Sequence, residues 1–219
     1  MKKKTIALLS GGISPEREVS LNSGAQVYEA LDKDKYDVVR YDPKTDLAKL
    51  AADAPGIDAA LIILHGPYGE DGTVQGMLDL LQIPYQGSGV LGSALAMDKV
   101  AAKQLFEKAG IPTPPYVIFN RGDNVEPSNL VNRLGLPLVV KPARDGSSIG
   151  MSIVRAEDDI EAAINKAFLQ GPTILTEAYI DGVEITGGVL GNDELEALPL
   201  IEIVPDQSHE FFDYEAKYT

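Results

Sequence analysis

The chain reads as an α/β protein in which a parallel-sheet domain precedes an α+β unit. Three observations lead there. Its 219 residues, 44% apolar and 24% charged, are enough for one large or two modest cores. In the first part, short all-apolar runs enter glycine-rich turns and then helical stretches, the repetition expected of a parallel sheet covered on both faces. Further on, paired strands sit beside helices without that repetition.

Taken in order, residues 5–9 (TIALL) form a short buried strand that runs into Gly11-Gly12. "SPEREVSLNSGAQVYEAL" is helical, with Ser14 at the N-cap, Pro15 in the first turn, and Glu16 and Glu18 complementing the helix dipole. A second strand, 59–64, ends at His65 and meets a glycine-rich turn before the helical "TVQGMLDLL". "IPYQGSG" returns to extended chain, and these elements make a first domain at 1–95. "ALAMDKVAAKQLFEKAGIPTPPY" begins as a helix with an apolar stripe. Gly110 caps it, and the prolines mark the passage into a second domain. Strand "LPLVVKP", loop "ARDGSSIG", strand "MSIVRA", helix "EDDIEAAINKAF" and strand "TILTEAYI" follow. "VEITGGVLG" and "ALPLIEIVP" then pair antiparallel around the polar turn Asn192-Asp193-Glu194.

Composition excludes several kinds of chemistry. With 19 basic and 33 acidic residues the net charge is −14, which repels phosphate backbones and argues against nucleic acid as a partner. No cysteine occurs, so disulfides, thiolate metal sites and cysteine nucleophiles are all ruled out. Two histidines, His65 and His209, cannot build a histidine-rich metal centre. The opening "MKKKTIALLSGG" imitates a signal peptide, but its apolar stretch is too short for one. Nothing approaches the length of a membrane helix, and a cytoplasmic location is expected.

The most informative run is "LVVKPARDGSSIGMSIV". A strand delivers Lys141 to its end, and Gly146, Ser147, Ser148 and Gly150 let backbone N–H groups and hydroxyls approach a ligand closely. That suits a phosphate cradle, although it is neither a Walker P-loop nor a Rossmann glycine fingerprint. The plain alternative is a hairpin loop with a solvated lysine. Lys99 opens a helix, where a cation is disfavoured unless an anion compensates it. Glu177 and Glu184 lie on strand-like segments either side of Asp181-Gly182, where carboxylates could accept from an exocyclic amine or ribose hydroxyls. Each alone also reads as an exposed strand residue. In "HGPYGEDGTVQGML", His65 ends a buried strand, where open α/β sheets bind ligands; a purely structural histidine is the competing reading. Asp71 there could be an N-cap and Glu70 a dipole partner.

Together, "SGGISPEREVSLNSG", "HGPYGEDGTVQGMLDLLQIPYQGSGVLGSALAMDK", "VVKPARDGSSIGMS" and "FFDYEAKYT" resemble, in order, the blocks of the D-alanine–D-alanine ligases of the ATP-grasp superfamily. The resemblance implies a Rossmann-like (pre-ATP-grasp) N-terminal domain at 1–95, a central ATP-grasp subdomain at 96–182, and the start of the C-terminal ATP-grasp subdomain at 183–219. It implies ATP-dependent joining of two D-alanines through a D-alanyl phosphate, for peptidoglycan precursors. Lys99 and Lys141 would contact the nucleotide phosphates, with Ser147, Ser148 and Gly150 closing above them. Glu177, Tyr179 and Ile180 would meet the adenine, and Glu184 the ribose. Glu16 would hold the ammonium of the first D-alanine and His65 would lie near its carboxylate. Lys217 would reach the γ-phosphate, and Tyr218 would lock a lid through Ser147 and Glu16. The Tyr-Lys-Tyr lid looks like that of dipeptide ligases rather than D-alanyl-D-lactate ligases.

The family pattern continues beyond Tyr218 with an arginine for the transferred phosphoryl group, the Asp, Glu and Asn that hold Mg2+, and the second D-alanine pocket. The sequence is therefore expected to be a C-terminally truncated member, lacking magnesium ligands and showing little turnover alone. Unpaired edges at 183–191 and 197–204 are expected to favour association, including homodimers. The alternatives are a non-catalytic module binding ATP and D-alanine, and an ATP-grasp carboxylate–amine ligase of other specificity.

Overall fold

The computed structural model describes residues 2–144 and 146–204. The chain divides into two compact units, Met1–Thr113 with Ala143–Gly146, and Pro114–Pro142 with Ser147–Thr219.

The first unit is built on three parallel strands, β1 (Lys4–Leu9), β2 (Tyr36–Tyr41) and β3 (Ala59–Ile62), in the order β2-β1-β3. β1 is central, and Ala7, Leu8 and Leu9 are wholly buried, as its uninterrupted apolar sequence requires. Helices α1 (Arg17–Ala30), α2 (Leu47–Asp53), α3 (Thr73–Leu80), α4 (Val90–Met97) and α5 (Lys99–Lys108) complete the unit. One core joins Leu9, Tyr41, Leu50, Leu64, Leu78 and Ile83. The segment "IPYQGSG" is extended as expected. Tyr85 bridges Ala60 in parallel, and Gln86 binds both polar backbone atoms of Ile62 through its side chain.

The second unit carries the antiparallel sheet β4-β7-β5-β6, from β4 (Tyr116–Asn120), β5 (Leu138–Pro142), β6 (Ser152–Val154) and β7 (Thr173–Ala178). Helices α6 (Pro127–Leu134) and α7 (Ile160–Phe168) cover one face, packing Leu130, Leu134, Ile160 and Ile164 against Leu138, Val140 and Ile174. Strand alternation sends Lys141 and Glu177 to the opposite face. The expected antiparallel pair at 183–204 forms as two short ladders. β8 (Glu184–Thr186) pairs with β11 (Ile201–Ile203), and β9 (Val189–Leu190) with β10 (Glu196–Ala197).

Three local expectations are corrected. Ser14 does not cap α1, which begins at Arg17 with Glu16 at its N-cap position. The Ser14 hydroxyl is engaged elsewhere, donating to the His65 carbonyl. The helix expected to begin in "ALAM" and to continue breaks at Asp98, whose extended backbone and side-chain bonds to Val100 N–H and Ala101 N–H start α5 afresh, with Lys99 opening it as expected. Gly110 does end α5, at φ 73°, with Gly110 N–H on Glu107 O and Ile111 N–H on Phe106 O, the paired bonds of a Schellman motif. Finally, Gly72 rather than Asp71 occupies the N-cap position of α3, and Glu70 accepts from Gly66 N–H.

Candidate active site

Because β1 and β3 are parallel, the loops that follow them emerge at the same C-terminal edge of the sheet, where open α/β folds bind ligands. The first loop carries Glu16 and the second His65. Their backbones are stitched together by two buried serines. Ser20 Oγ accepts from Gly11 N–H at 2.8 Å and donates to the Ile63 carbonyl. Ser14 Oγ accepts from Glu16 N–H at 3.2 Å and donates to the His65 carbonyl at 2.8 Å.

The second loop is held by its own side chains, which explains the spacing of "HGPYGEDGTVQG". Glu70 Oε2 accepts from Gly66 N–H at 2.6 Å, and Asp71 accepts from Tyr68 N–H at 2.9 Å and Thr73 N–H at 3.0 Å. Gln75, buried beneath, donates to the Gly69 carbonyl at 2.9 Å. Gly66 adopts φ 68°, and a Cβ there would stand 2.3 Å from Glu16 Oε2. A Cβ on Gly146 would stand 2.9 Å from the same oxygen. Glu16, only 3% exposed, therefore rests its carboxylate against two glycines, one from each flanking loop. His65 Nε2 is shut off from solvent and makes no hydrogen bond among the described residues.

Behind Glu16, Arg17 forms an ion pair with Asp42, Nη2 to Oδ2 at 2.6 Å, while Asp42 Oδ1 accepts from Gly12 N–H at 2.9 Å. Burial pushes the Asp42 carboxyl up. The Arg17 side chain and the N–H groups of Gly12 and Lys44 outweigh this and hold it at about 2.

Lys99 lies at the first residue of α5, and its N–H donates to Ala143 O at 2.9 Å. Beside it Arg144 donates through Nε to Asp98 Oδ2 at 2.8 Å, tying the loop after β5 to the α4–α5 junction. A cavity of about 480 Å³ opens here, bordered by Gly69, Glu70, Gln75, Ser88, Lys99 and Gly146. A smaller apolar cavity of about 160 Å³ lies against Ile13, Ser14, Leu47, His65, Tyr68 and Met77.

In the second unit, Lys141 and Glu177 form an ion pair, Nζ to Oε1, as diagonal neighbours of the β5–β7 ladder. The residues expected to meet opposite ends of a nucleotide thus meet each other here, on the sheet face away from α6 and α7. Ser147 (φ 48°), Ser148 (φ 59°) and Gly150 (φ 73°) all adopt left-handed backbone. A Cβ on Gly150 would meet Gln170 at 2.7 Å, so packing demands glycine there. Tyr179 continues from β7, its ring 6.0 Å from the Arg155 guanidinium, and its N–H bonds Pro137 O at 3.2 Å. Ile180 and Glu184 are exposed. Lys217 and Tyr218 lie outside the described residues. Sequence reasoning passed over Ser14 as a loop tie, Asp42, Asp98 and Arg144; the "MDK" step into a helix was a signal for Asp98.

Two family models match, D-ala D-ala ligase N-terminus over residues 40–88 and D-ala D-ala ligase C-terminus over residues 105–219. The D-alanine–D-alanine ligase of Syntrophobacter fumaroxidans is 60% identical over 218 residues, covering 100% of this chain and 70% of the relative. That of Desulfotalea psychrophila is 56% identical, covering 97% of this chain and 66% of the relative. Among solved structures, the Bacillus anthracis D-alanine–D-alanine ligase complexed with ATP superposes with a TM-score of 0.80 at 36% identity, over 93% of this chain and 67% of that one. The VanG D-Ala:D-Ser ligase of Enterococcus faecalis does so with a TM-score of 0.79 at 33% identity, over 100% of this chain and 74% of that one. The fold is thus that of enzymes joining amino acids at the cost of a nucleotide. The chain belongs to the D-alanine–D-alanine ligase family.

Proposed function

We propose that this chain takes part in the ATP-dependent ligation of two D-alanines for cell-wall precursors, activating the first as an acyl phosphate. The observation that carries the reading is the Glu16 carboxylate, buried against Gly66 and Gly146 beside the His65 loop, within a chain of this family. A buried carboxylate in a glycine-walled recess favours a compact cationic group, such as the ammonium of a small amino acid. His65 lies near the substrate carboxylate on this reading, and Lys99 and Lys141 draw the phosphates. Ser147, Ser148 and Gly150 close over the phosphates. Glu177, Tyr179 and Ile180 line the base, Glu184 meets the ribose, and Lys217 with Tyr218 forms the lid.

Binding of ATP requires Lys141 and Glu177 to exchange their mutual pair for the phosphates and the base. The functional division follows residues 1–95 for the first amino acid and 96–182 with 183–219 for the nucleotide. Magnesium would supply charge neutralisation to the phosphates in such reactions. Among the described residues, no group of three or more acidic or histidine side chains could hold a metal ion, so no step is assigned to one. Among the same residues, no helix is long and apolar enough to cross a membrane. A cytoplasmic location suits substrates of this class.

Calorimetric titration of the chain with D-alanine in the presence of a non-hydrolysable ATP analogue tests the reading. Both ligands are expected to bind, with Glu16→Gln abolishing D-alanine uptake and sparing the nucleotide. Unchanged D-alanine affinity in that variant, or no affinity for either ligand, would overturn it.

A further inference from the structure

The single peptide group between His65 and Gly66 is held at both of its polar atoms by side chains. Its carbonyl accepts from Ser14 Oγ at 2.8 Å, and its N–H donates to Glu70 Oε2 at 2.6 Å. The same Ser14 hydroxyl accepts from Glu16 N–H at 3.2 Å. Gly66, at φ 68°, is also the surface on which the Glu16 carboxylate lies. One hydroxyl therefore joins the backbones of the two residues assigned to opposite ends of the first substrate, and Glu70 fixes the far side of the joint.

We propose that Ser14 and Glu70 are positioning residues that set the spacing of Glu16 and His65, and hence the affinity for the small amino acid between them. This rests on the substrate reading given above. Neither residue need touch the ligand. Ser14 is only 8% exposed, and its O–H and one of its two lone pairs are engaged by backbone groups. Glu70 is exposed, yet one carboxylate oxygen turns inward to the loop. Such a bond to a charged acceptor is of the stronger kind. Ser20 supplies the internal comparison, because it makes the same kind of stitch at Gly11 N–H and Ile63 C=O without touching the His65–Gly66 peptide.

The experiment measures D-alanine affinity by calorimetry, with a non-hydrolysable ATP analogue present, together with amide hydrogen exchange at Gly66. Ser14→Ala and Glu70→Ala are expected to weaken D-alanine binding roughly tenfold, the equivalent of one hydrogen bond. Glu70→Gln keeps an acceptor oxygen and Ser14→Thr keeps the hydroxyl. Ser14 borders the apolar cavity. Both conservative variants are expected to bind as the parent does. Ser20→Ala is expected to lower Tm while leaving the affinity of the folded protein unchanged.

Unaltered affinity in Ser14→Ala and Glu70→Ala, in a protein whose Glu16→Gln variant has lost D-alanine, would overturn the proposal and leave the substrate reading standing. An equal loss in Ser20→Ala would overturn it too, reducing the effect to general loop stability. If the parent protein takes up no D-alanine, the substrate reading fails, and exchange at Gly66 decides the clamp alone. Faster exchange in Glu70→Ala but not in Glu70→Gln upholds the clamp, and unchanged exchange in both overturns it.

Discussion

Arg17 and Asp42 anchor the loop on which Glu16 sits, and their energetics set an acid limit for the protein. Asp42 has a folded-state pKa of about 2, below its ordinary value of 3.8. A depressed carboxylate contributes stability that is fully present above the unfolded value and is lost as pH falls towards the folded one. The window therefore lies between pH 3.8 and about 2, and the contribution is about 2 kcal/mol. Urea denaturation at several pH values is expected to show this loss in the parent protein and a flatter profile in Asp42→Asn. Gly66 makes a second prediction. Its left-handed φ opposes alanine, and so does the Glu16 oxygen, 2.3 Å from where the alanine methyl would lie. Gly66→Ala is expected to lower stability by roughly 1–3 kcal/mol, measured by thermal melting.

The α4–α5 junction shows how far elements can be read from residues. The strands of the "TIALL", "LVVK" and "TILTEA" type were legible because continuous or alternating apolar residues state their own burial within five or six positions. Strand β2, helix α2, strand β4 and helix α6 were passed over. "YDVVRY" is only half-buried, which weakens its apolar signal, and α6 has a short amphipathic run opened by Pro127. At Asp98 the apolar stripe continues across the break, so periodicity suggested one helix. The turn chemistry of a single carboxylate prevailed, since it satisfies Val100 N–H and Ala101 N–H and holds Arg144. Asp98→Ala is expected to cost about 1–2 kcal/mol through the lost cap, seen as a lower Tm, and to release the Arg144 loop beside Lys99.

At the scale of the whole molecule, the paired segment after β7 is a prominent apolar surface among the described residues. Val183, Val189, Leu190, Leu195, Leu200 and Val204 are each more than 60% exposed. Short two-stranded ladders whose apolar side chains are exposed among the described residues favour strand-to-strand association. Sedimentation is expected to show concentration-dependent self-association that Leu190→Lys reduces; a monomer insensitive to concentration would exclude this surface as its cause.

Read alone, the letters determined the two kinds of sheet and the family, because burial periodicity and glycine-rich turns act over a few neighbouring residues. Folding decided which polar atoms meet. Ser14 left its expected cap for a carbonyl 51 positions away, Arg144 found Asp98 at a separation of 46, and Lys141 found Glu177 at 36. Such partners depend on the closure of long loops around a core, a free energy belonging to the whole fold and carried by no local stretch of sequence.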